Sequence, residues 1–231
     1  MATRRITIAI DGHSSAGKST MAKALAKELN YVYIDTGAMY RAATLYAIKE
    51  RLILNSQVDM ESIGENLDRM FLSFKFNPAT ERPDMHLDGV NVEKEIRTLE
   101  VAKNVSFIAK IPEVRKKLVA LQKRMAEGSG VVMDGRDIGT VVLPDAELKF
   151  FMTADPEVRA WRRLKEIKDK ERDTTFDEVL ENVLHRDKLD SERAVAPLKQ
   201  AHDAVIIDNS NLSMEEQFEF MLKIALKRME I

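Results

Sequence analysis

The sequence predicts an α/β fold with one parallel sheet flanked by helices, and three observations predict it. Short β-branched or apolar runs recur at residues 6–10, 31–34, 131–133, 148–152 and 204–207, each bounded by Asp, Gly, Pro or Thr. Segments with apolar residues at helical spacing separate these runs. The first run passes through a glycine-punctuated turn into one such segment, Met21-Ala22-Lys23-Ala24-Leu25-Ala26-Lys27-Glu28-Leu29.

Taken in order, the strand at 6–10 is continuous in its apolar character, as a strand covered on both faces must be. Strands at 31–34 and 131–133 run into acidic and glycine-bearing turns. Between about 67 and 92 the pattern changes: Phe71, Ser73, Lys75 and Asn77 alternate with apolar or aromatic neighbours, and Asp88-Gly89 is a strong hairpin signal. A small antiparallel insertion is expected there. Asp155-Pro156 starts a helix with a capping oxygen before a proline at the first helical position. Thr175 with Glu178, and Ser213 with Glu216, spell capping boxes at two further starts. The charge-dense stretch 165–175 lies between two helices and reads as an exposed arm.

Composition narrows the function classes. With 231 residues, 45% of them hydrophobic and 32% charged, the chain has material for one sizeable core and small appended lobes. A formal net charge of −2 lacks the basic surplus of a nucleic-acid binder, so any anion site is built locally. The absence of cysteine excludes disulfides, thiolate metal sites and thiol nucleophiles. The apolar run after Met-Ala-Thr-Arg-Arg is too short for a signal sequence, and no stretch approaches the roughly 20 apolar residues of a membrane span. A soluble cytoplasmic protein with no membrane or nucleic-acid polymer as partner is expected.

The chemistry starts at Gly12-His13-Ser14-Ser15-Ala16-Gly17-Lys18-Ser19, which matches G-x-x-x-x-G-K-[ST] between a predicted strand and a predicted helix. Glycines let backbone N–H groups curl around a phosphate, and the helix start adds its positive end. Lys18 would bridge β- and γ-oxygens, and Ser19 would offer a hydroxyl to Mg²⁺ arriving with ATP. Such a loop establishes nucleoside triphosphate binding without naming an acceptor.

Further motifs follow the second and third strands: Asp35-Thr36-Gly37-Ala38-Met39-Tyr40-Arg41 and Asp134-Gly135-Arg136-Asp137-Ile138-Gly139-Thr140-Val141-Val142. Carboxyl ends of strands are where open α/β sheets bind ligands. With Glu95-Ile96-Arg97-Thr98 and Arg193-Ala194-Val195-Ala196-Pro197-Leu198, these segments resemble the bacterial cytidylate kinase family in order and spacing, from about Ile6 to the carboxyl-terminal helix. The resemblance implies a three-layer P-loop NTPase fold: a five-stranded parallel sheet of order 2-3-1-4-5, an antiparallel acceptor-side insertion and a helical lid. It implies one kinase domain over 1–231, with an acceptor lobe at about 60–110 containing the insertion 67–92, and a lid at about 155–178.

The resemblance also implies roles. ATP falls to Gly12, His13, Ser14, Ser15, Ala16, Gly17, Lys18, Ser19, Thr20 and Arg159. The acceptor phosphate falls to Thr36, Arg41 and Arg136, where guanidinium forks suit a dianion. Cytosine is read by Ser106, Arg115 and Asp137, with Tyr40 beside the same nucleotide. Ribose and nearby phosphate fall to Arg186, Asp190 and Arg193, at i, i+4 and i+7 of one helical face. Lys18, Arg136, Arg162 and Arg163 carry catalysis, the last two as lid arginines stabilising charge on the transferring group. Ser19 and Asp134 serve the metal.

Plainer readings stand beside these. Arg115, Arg186 and Arg193 suit surface ion pairs. Arg159, Arg162 and Arg163 suit a solvated stripe paired with Glu166 and Asp169. Asp134 suits a cap on the turn at Gly135, and Thr36 and Ser106 suit turn hydroxyls. His13 and Ser15 depart from the Pro or Gly frequent in the family, and His13 reads as a packing residue because phosphoryl transfer needs little acid–base chemistry. The expected activity is transfer of the ATP γ-phosphate to CMP or dCMP by a monomer. The rivals are a kinase for UMP or a shikimate-like acceptor, and a non-enzymatic nucleotide-driven switch.

Overall fold

The computed structural model describes residues 3–54, 57–58, 60–80, 82–128, 130–168 and 174–230. The chain forms two compact units, one of Met1–Ile34 with Ala126–Ile231 and one of Asp35–Met125. In chain order come β1 (Thr7–Gly12), α1 (Lys18–Glu28), β2 (Val32–Asp35), α2 (Thr36–Lys49), β3 (Ile53–Leu54), β4 (Gln57–Val58) and α3 (Met60–Asn66). They are followed by β5 (Leu72–Asn77), β6 (Arg82–Leu87), β7 (Val90–Asn91), α4 (Leu99–Ile108), α5 (Pro112–Met125) and β8 (Val131–Asp134). The chain ends with β9 (Leu148–Thr153), α6 (Pro156–Lys168), α7 (Phe176–Glu192), β10 (Val205–Asp208) and α8 (Met214–Met229).

The principal sheet runs β10-β9-β1-β8-β2, which is 2-3-1-4-5 when its five strands are counted along the chain and read from the β2 edge. β1 pairs in parallel with β8 and β9, and β9 with β10. β1 is central because its middle is apolar: Ile8, Ala9 and Ile10 are each wholly buried. Around it Leu25, Val132, Phe150, Met152, Ile207 and Met221 form the main core. The connections from β1 and β8 leave in opposite directions along the sheet, so their adjacent carboxyl ends form a switch point. Both functional loops of this unit start there.

Both capping boxes form as spelled. Thr175 Oγ1 accepts from Glu178 N while Glu178 returns a carboxylate to Thr175 N, and Ser213 and Glu216 do the same. Asp155 Oδ1 accepts from Glu157 N at the start of α6. The α6–α7 pair closes a small core of Ala160, Leu164, Val179 and Val183. Residues 169–173, inside the charged arm, lie outside the described residues and include Asp169.

In the second unit, β5, β6 and β7 form the antiparallel insertion, with Asp88 and Gly89 both at positive φ in the β6–β7 turn. Helix α2 is buried along most of its length and touches α4, α5 and β6. The unit spans Asp35–Met125, and α2 and α5 contribute buried residues to it.

Candidate active site

The phosphate loop is built by close approach. A Cβ on Gly12, at φ 143°, would stand 1.9 Å from the Met152 carbonyl oxygen on neighbouring β9, so only glycine fits. Gly17, at φ 85°, caps α1 in a left-handed conformation. Ser15 also has positive φ, at 59°, which locates the departure noted in the sequence at a strained backbone position. Thr20 continues α1 with its N–H on the Gly17 carbonyl. The buried Lys18 ammonium donates to the His13 carbonyl at 2.6 Å, crossing the loop it is to serve. Burial, and then the charge of Arg136, lower Lys18 to about 7. His13 itself turns its ring edge-on to Phe151, and burial holds its imidazole below the usual range.

Beside the loop, Ser19 Oγ donates to Asp134 Oδ2 at 2.8 Å. The sequence assigned these two residues to a metal, and the fold sets them in contact across 115 positions. A hydroxyl and a single carboxylate at a helix start fit Mg²⁺, which keeps several waters and phosphate oxygens and seldom takes an all-protein cage. The other carboxylate oxygen, Asp134 Oδ1, accepts from Tyr33 Oη at 2.8 Å.

The turn after β8 is held from β1. Asp11 is buried and accepts from Ile138 N and Gly139 N, each at 2.7 Å. That fixes the Arg136-Asp137 segment at the entry to a wide π-helical turn, Ile138–Val142. Burial outweighs these two donors and raises Asp11 to about 6. Arg136 Nε donates to Asp190 Oδ2 at 2.7 Å, and Arg193 Nη2 to Asp137 Oδ1 at 3.2 Å with both side chains nearly buried. Arg193 is not on the α7 face that i, i+4, i+7 spacing implies. The helix ends at Glu192, and Arg193 has extended dihedrals, with its Nε on the Ala196 carbonyl. Arg186 is lowered to about 10 by burial and then by Arg136, and its Nε is buried with no hydrogen-bond partner among the described residues.

The three arginines on α6 bond to other protein groups. Arg159 is buried and donates to the Ala154 and Ser14 carbonyls while pairing with Asp187 at 2.7 Å. It grips the phosphate loop from behind through Ser14. Arg162 forks onto Asn209, and Arg163 pairs with Glu166 at 3.0 Å as the plainer reading allowed.

The second unit carries the remaining residues that the resemblance assigns to the acceptor. Thr36, Tyr40 and Arg41 occupy the first turns of α2, whose start is capped by Asp35 accepting from Ala38 N. Arg97 Nη2 pairs with that same Asp35 at 3.1 Å. Arg115, on α5, is buried with its guanidinium 5.7 Å from the Tyr40 ring centre, so it is no surface arginine. Arg41 Nη1 donates to the Ile96 carbonyl at 3.4 Å, and Ser106 is half-buried on α4.

Sequence reasoning gave no site role to Asp11, Tyr33, Arg97, Asp187, Asn209 or Gln217. Asn209 is wholly buried, with Nδ2 on the Ala16 carbonyl at 2.8 Å and on Gln217 Oε1 at 2.7 Å. The one local signal was a polar residue in a position the pattern calls interior, as Asp11 is at the end of an apolar strand and Gln217 is inside an amphipathic helix.

Comparison with known proteins agrees with this construction. The family model for cytidylate kinase matches residues 8–227. A cytidylate kinase of Parabacteroides distasonis is 54% identical over 220 residues, covering 95% of this chain and 96% of its own. One of Bacteroides thetaiotaomicron is 53% identical over 218 residues, covering 94% and 95%. A crystal structure of a Thermus thermophilus protein superposes with a TM-score of 0.50 at 17% identity, over 99% of this chain and 100% of that one, a likeness of fold. Phosphate loop, strand-end turns and near full-length identity agree: the chain belongs to the cytidylate kinase family.

Proposed function

We propose that the chain transfers the γ-phosphoryl group of ATP to CMP or dCMP, giving ADP with CDP or dCDP. The observation that carries it is the cationic cluster of Lys18, Arg136 and Arg186 beside the phosphate loop. After burial, Arg136 is the largest influence lowering both Lys18 and Arg186, so the three cations feel one another's charge in a buried place. A triphosphate and an acceptor phosphate are anions that clustered cations suit, and the Arg186 Nε, buried with no hydrogen-bond partner among the described residues, supplies a donor.

An acceptor phosphate oxygen attacks the γ-phosphorus in line, and the bond to the β–γ bridging oxygen breaks with its electron pair leaving on ADP. No general base is needed, because the attacking oxygen is already anionic near neutral pH. Lys18 leaves the His13 carbonyl for the β- and γ-oxygens, and the loop N–H groups hold the β-phosphate. Ser19 and Asp134 would hold Mg²⁺, which would supply charge neutralisation on the phosphates. Thr36, Arg41 and Arg136 are assigned the acceptor phosphate; Ser106, Arg115 and Asp137 the cytosine; Arg186, Asp190 and Arg193 the ribose side. Arg162 and Arg163 complete the donor side once their present partners are exchanged for phosphate. The enzyme is read as a cytoplasmic monomer acting on free nucleotides, and no helix among the described residues is long and apolar enough to cross a membrane.

A coupled ADP-release assay with MgATP and CMP, dCMP, UMP, AMP or shikimate tests the reading. Turnover highest with CMP and dCMP is expected. Preference for another acceptor, or none, overturns it.

A further inference from the structure

Asp134 ends β8, and Tyr33 lies on β2, the neighbouring strand of the sheet. Tyr33 Oη donates to Asp134 Oδ1 at 2.8 Å, while Ser19 Oγ donates to Oδ2 at the same distance. Each carboxylate oxygen is therefore held by a hydroxyl from a different element, and the carboxylate cannot turn about its Cβ–Cγ bond without losing one of them. Tyr33 is 8% exposed and Asp134 4%, so bulk water does not replace a lost partner easily. The tyrosine ring packs in the main core, with Lys23 Nζ 5.6 Å from its centre. Phenylalanine would fill that volume equally, so packing alone does not account for the hydroxyl. In this place the hydroxyl donates to Asp134 and orients it.

We infer that Tyr33 is a positioning residue for the divalent cation that accompanies ATP, acting through Asp134 by fixing which carboxylate oxygen stands beside Ser19. The inference rests on the proposed assignment of Ser19 and Asp134 to the metal. Groups that orient a ligating or water-bridging carboxylate typically alter metal affinity by about 10–100-fold when removed. They do so without touching the metal, so the effect belongs to cation binding and leaves metal-free nucleotide binding alone.

The test uses Mn²⁺ as the probe, with its free-ion signal followed by electron paramagnetic resonance in the presence of enzyme and ADP, without acceptor. Metal-free ADP affinity is measured in parallel in EDTA, and secondary structure by circular dichroism. Tyr33→Phe keeps the ring and removes the hydroxyl. Expected is Mn²⁺ binding weakened about tenfold or more, with metal-free ADP affinity within about twofold of wild type. Unchanged Mn²⁺ binding in Tyr33→Phe, with weakened binding in Asp134→Asn and Ser19→Ala, overturns the role of Tyr33 while the metal assignment stands. Unchanged binding in all three overturns the metal assignment itself. Equal weakening of Mn²⁺ and metal-free ADP in Tyr33→Phe marks a general loosening of the loop, and that too overturns the inference.

Discussion

Arg162 places both terminal nitrogens of its guanidinium on Asn209, Nη1 on the side-chain oxygen and Nη2 on the backbone carbonyl, each at 2.8 Å. The same asparagine gives its amide nitrogen to Ala16 of the phosphate loop and to Gln217, so one buried side chain ties α6 and α8 to the loop.

Asn209→Ala removes that tie and leaves the Ala16 carbonyl and Gln217 Oε1 without this donor in a dry interior. A buried group left unsatisfied costs about 1–3 kcal/mol, so a loss of about 3 kcal/mol in urea denaturation is expected. The KM for ATP should rise more than the KM for CMP, because the disturbed carbonyl belongs to the donor loop. Equal changes in the two constants would count against this role for Asn209.

Lys18→Ala should reduce kcat by several orders of magnitude with the circular dichroism spectrum retained. The free enzyme adds a second test. With Lys18 lowered to about 7, most of it is neutral at pH 8, and a bound triphosphate restores the ammonium. ATP binding at pH 8 should therefore take up close to one proton, read by calorimetry in buffers of different ionisation enthalpy. At pH 6 the lysine is already charged and uptake through it should vanish.

Asp11 makes stability depend on pH in the direction opposite to a salt-bridged carboxylate. Its folded value of about 6 lies above the ordinary 3.8, so the folded protein holds the proton more tightly than the unfolded chain. The groups facing it are the Ile138 and Gly139 N–H donors, Asp137 and Lys18. Its stabilising contribution is complete below pH 3.8 and is lost as pH rises through 6. Compared with Asp11→Asn, which does not titrate, the wild type should lose about 2–3 kcal/mol of relative stability between pH 4 and pH 7. Paired urea titrations at several pH values measure it, and a flat difference would contradict the burial argument.

Asp137→Asn should separate the substrates. Asp137 is paired with the nearly buried Arg193, and the assignment gives it the cytosine edge. The amide retains the shape and loses the charge. The KM for CMP should rise at least tenfold while that for ATP stays within about twofold, by the rule that a site built for a polar partner discriminates strongly when it is lost. An equal rise in both would place Asp137 in structural support of the loop.

The sheet, the phosphate loop, the antiparallel insertion and both capping boxes were legible in the sequence because each is a short-range pattern. Apolar runs, a glycine spacing and a threonine or serine three residues before a glutamate need no knowledge of where the chain goes next. The end of α7 was less legible: the spacing of Arg186, Asp190 and Arg193 is helical, yet the backbone is extended at Arg193, where the side chain turns inward to Asp137 and Ala196.

Only tertiary structure decided the partner of each polar side chain. Tyr33 meets Asp134 across 101 positions and Arg162 meets Asn209 across 47, distances at which no periodicity carries information. Arg159 lies on α6, and only the fold shows that its guanidinium meets Ser14, Ala154 and Asp187. The reason is physical. Local pattern sets which face of an element is buried, whereas a buried donor takes whichever acceptor the crossing chain brings within about 3 Å.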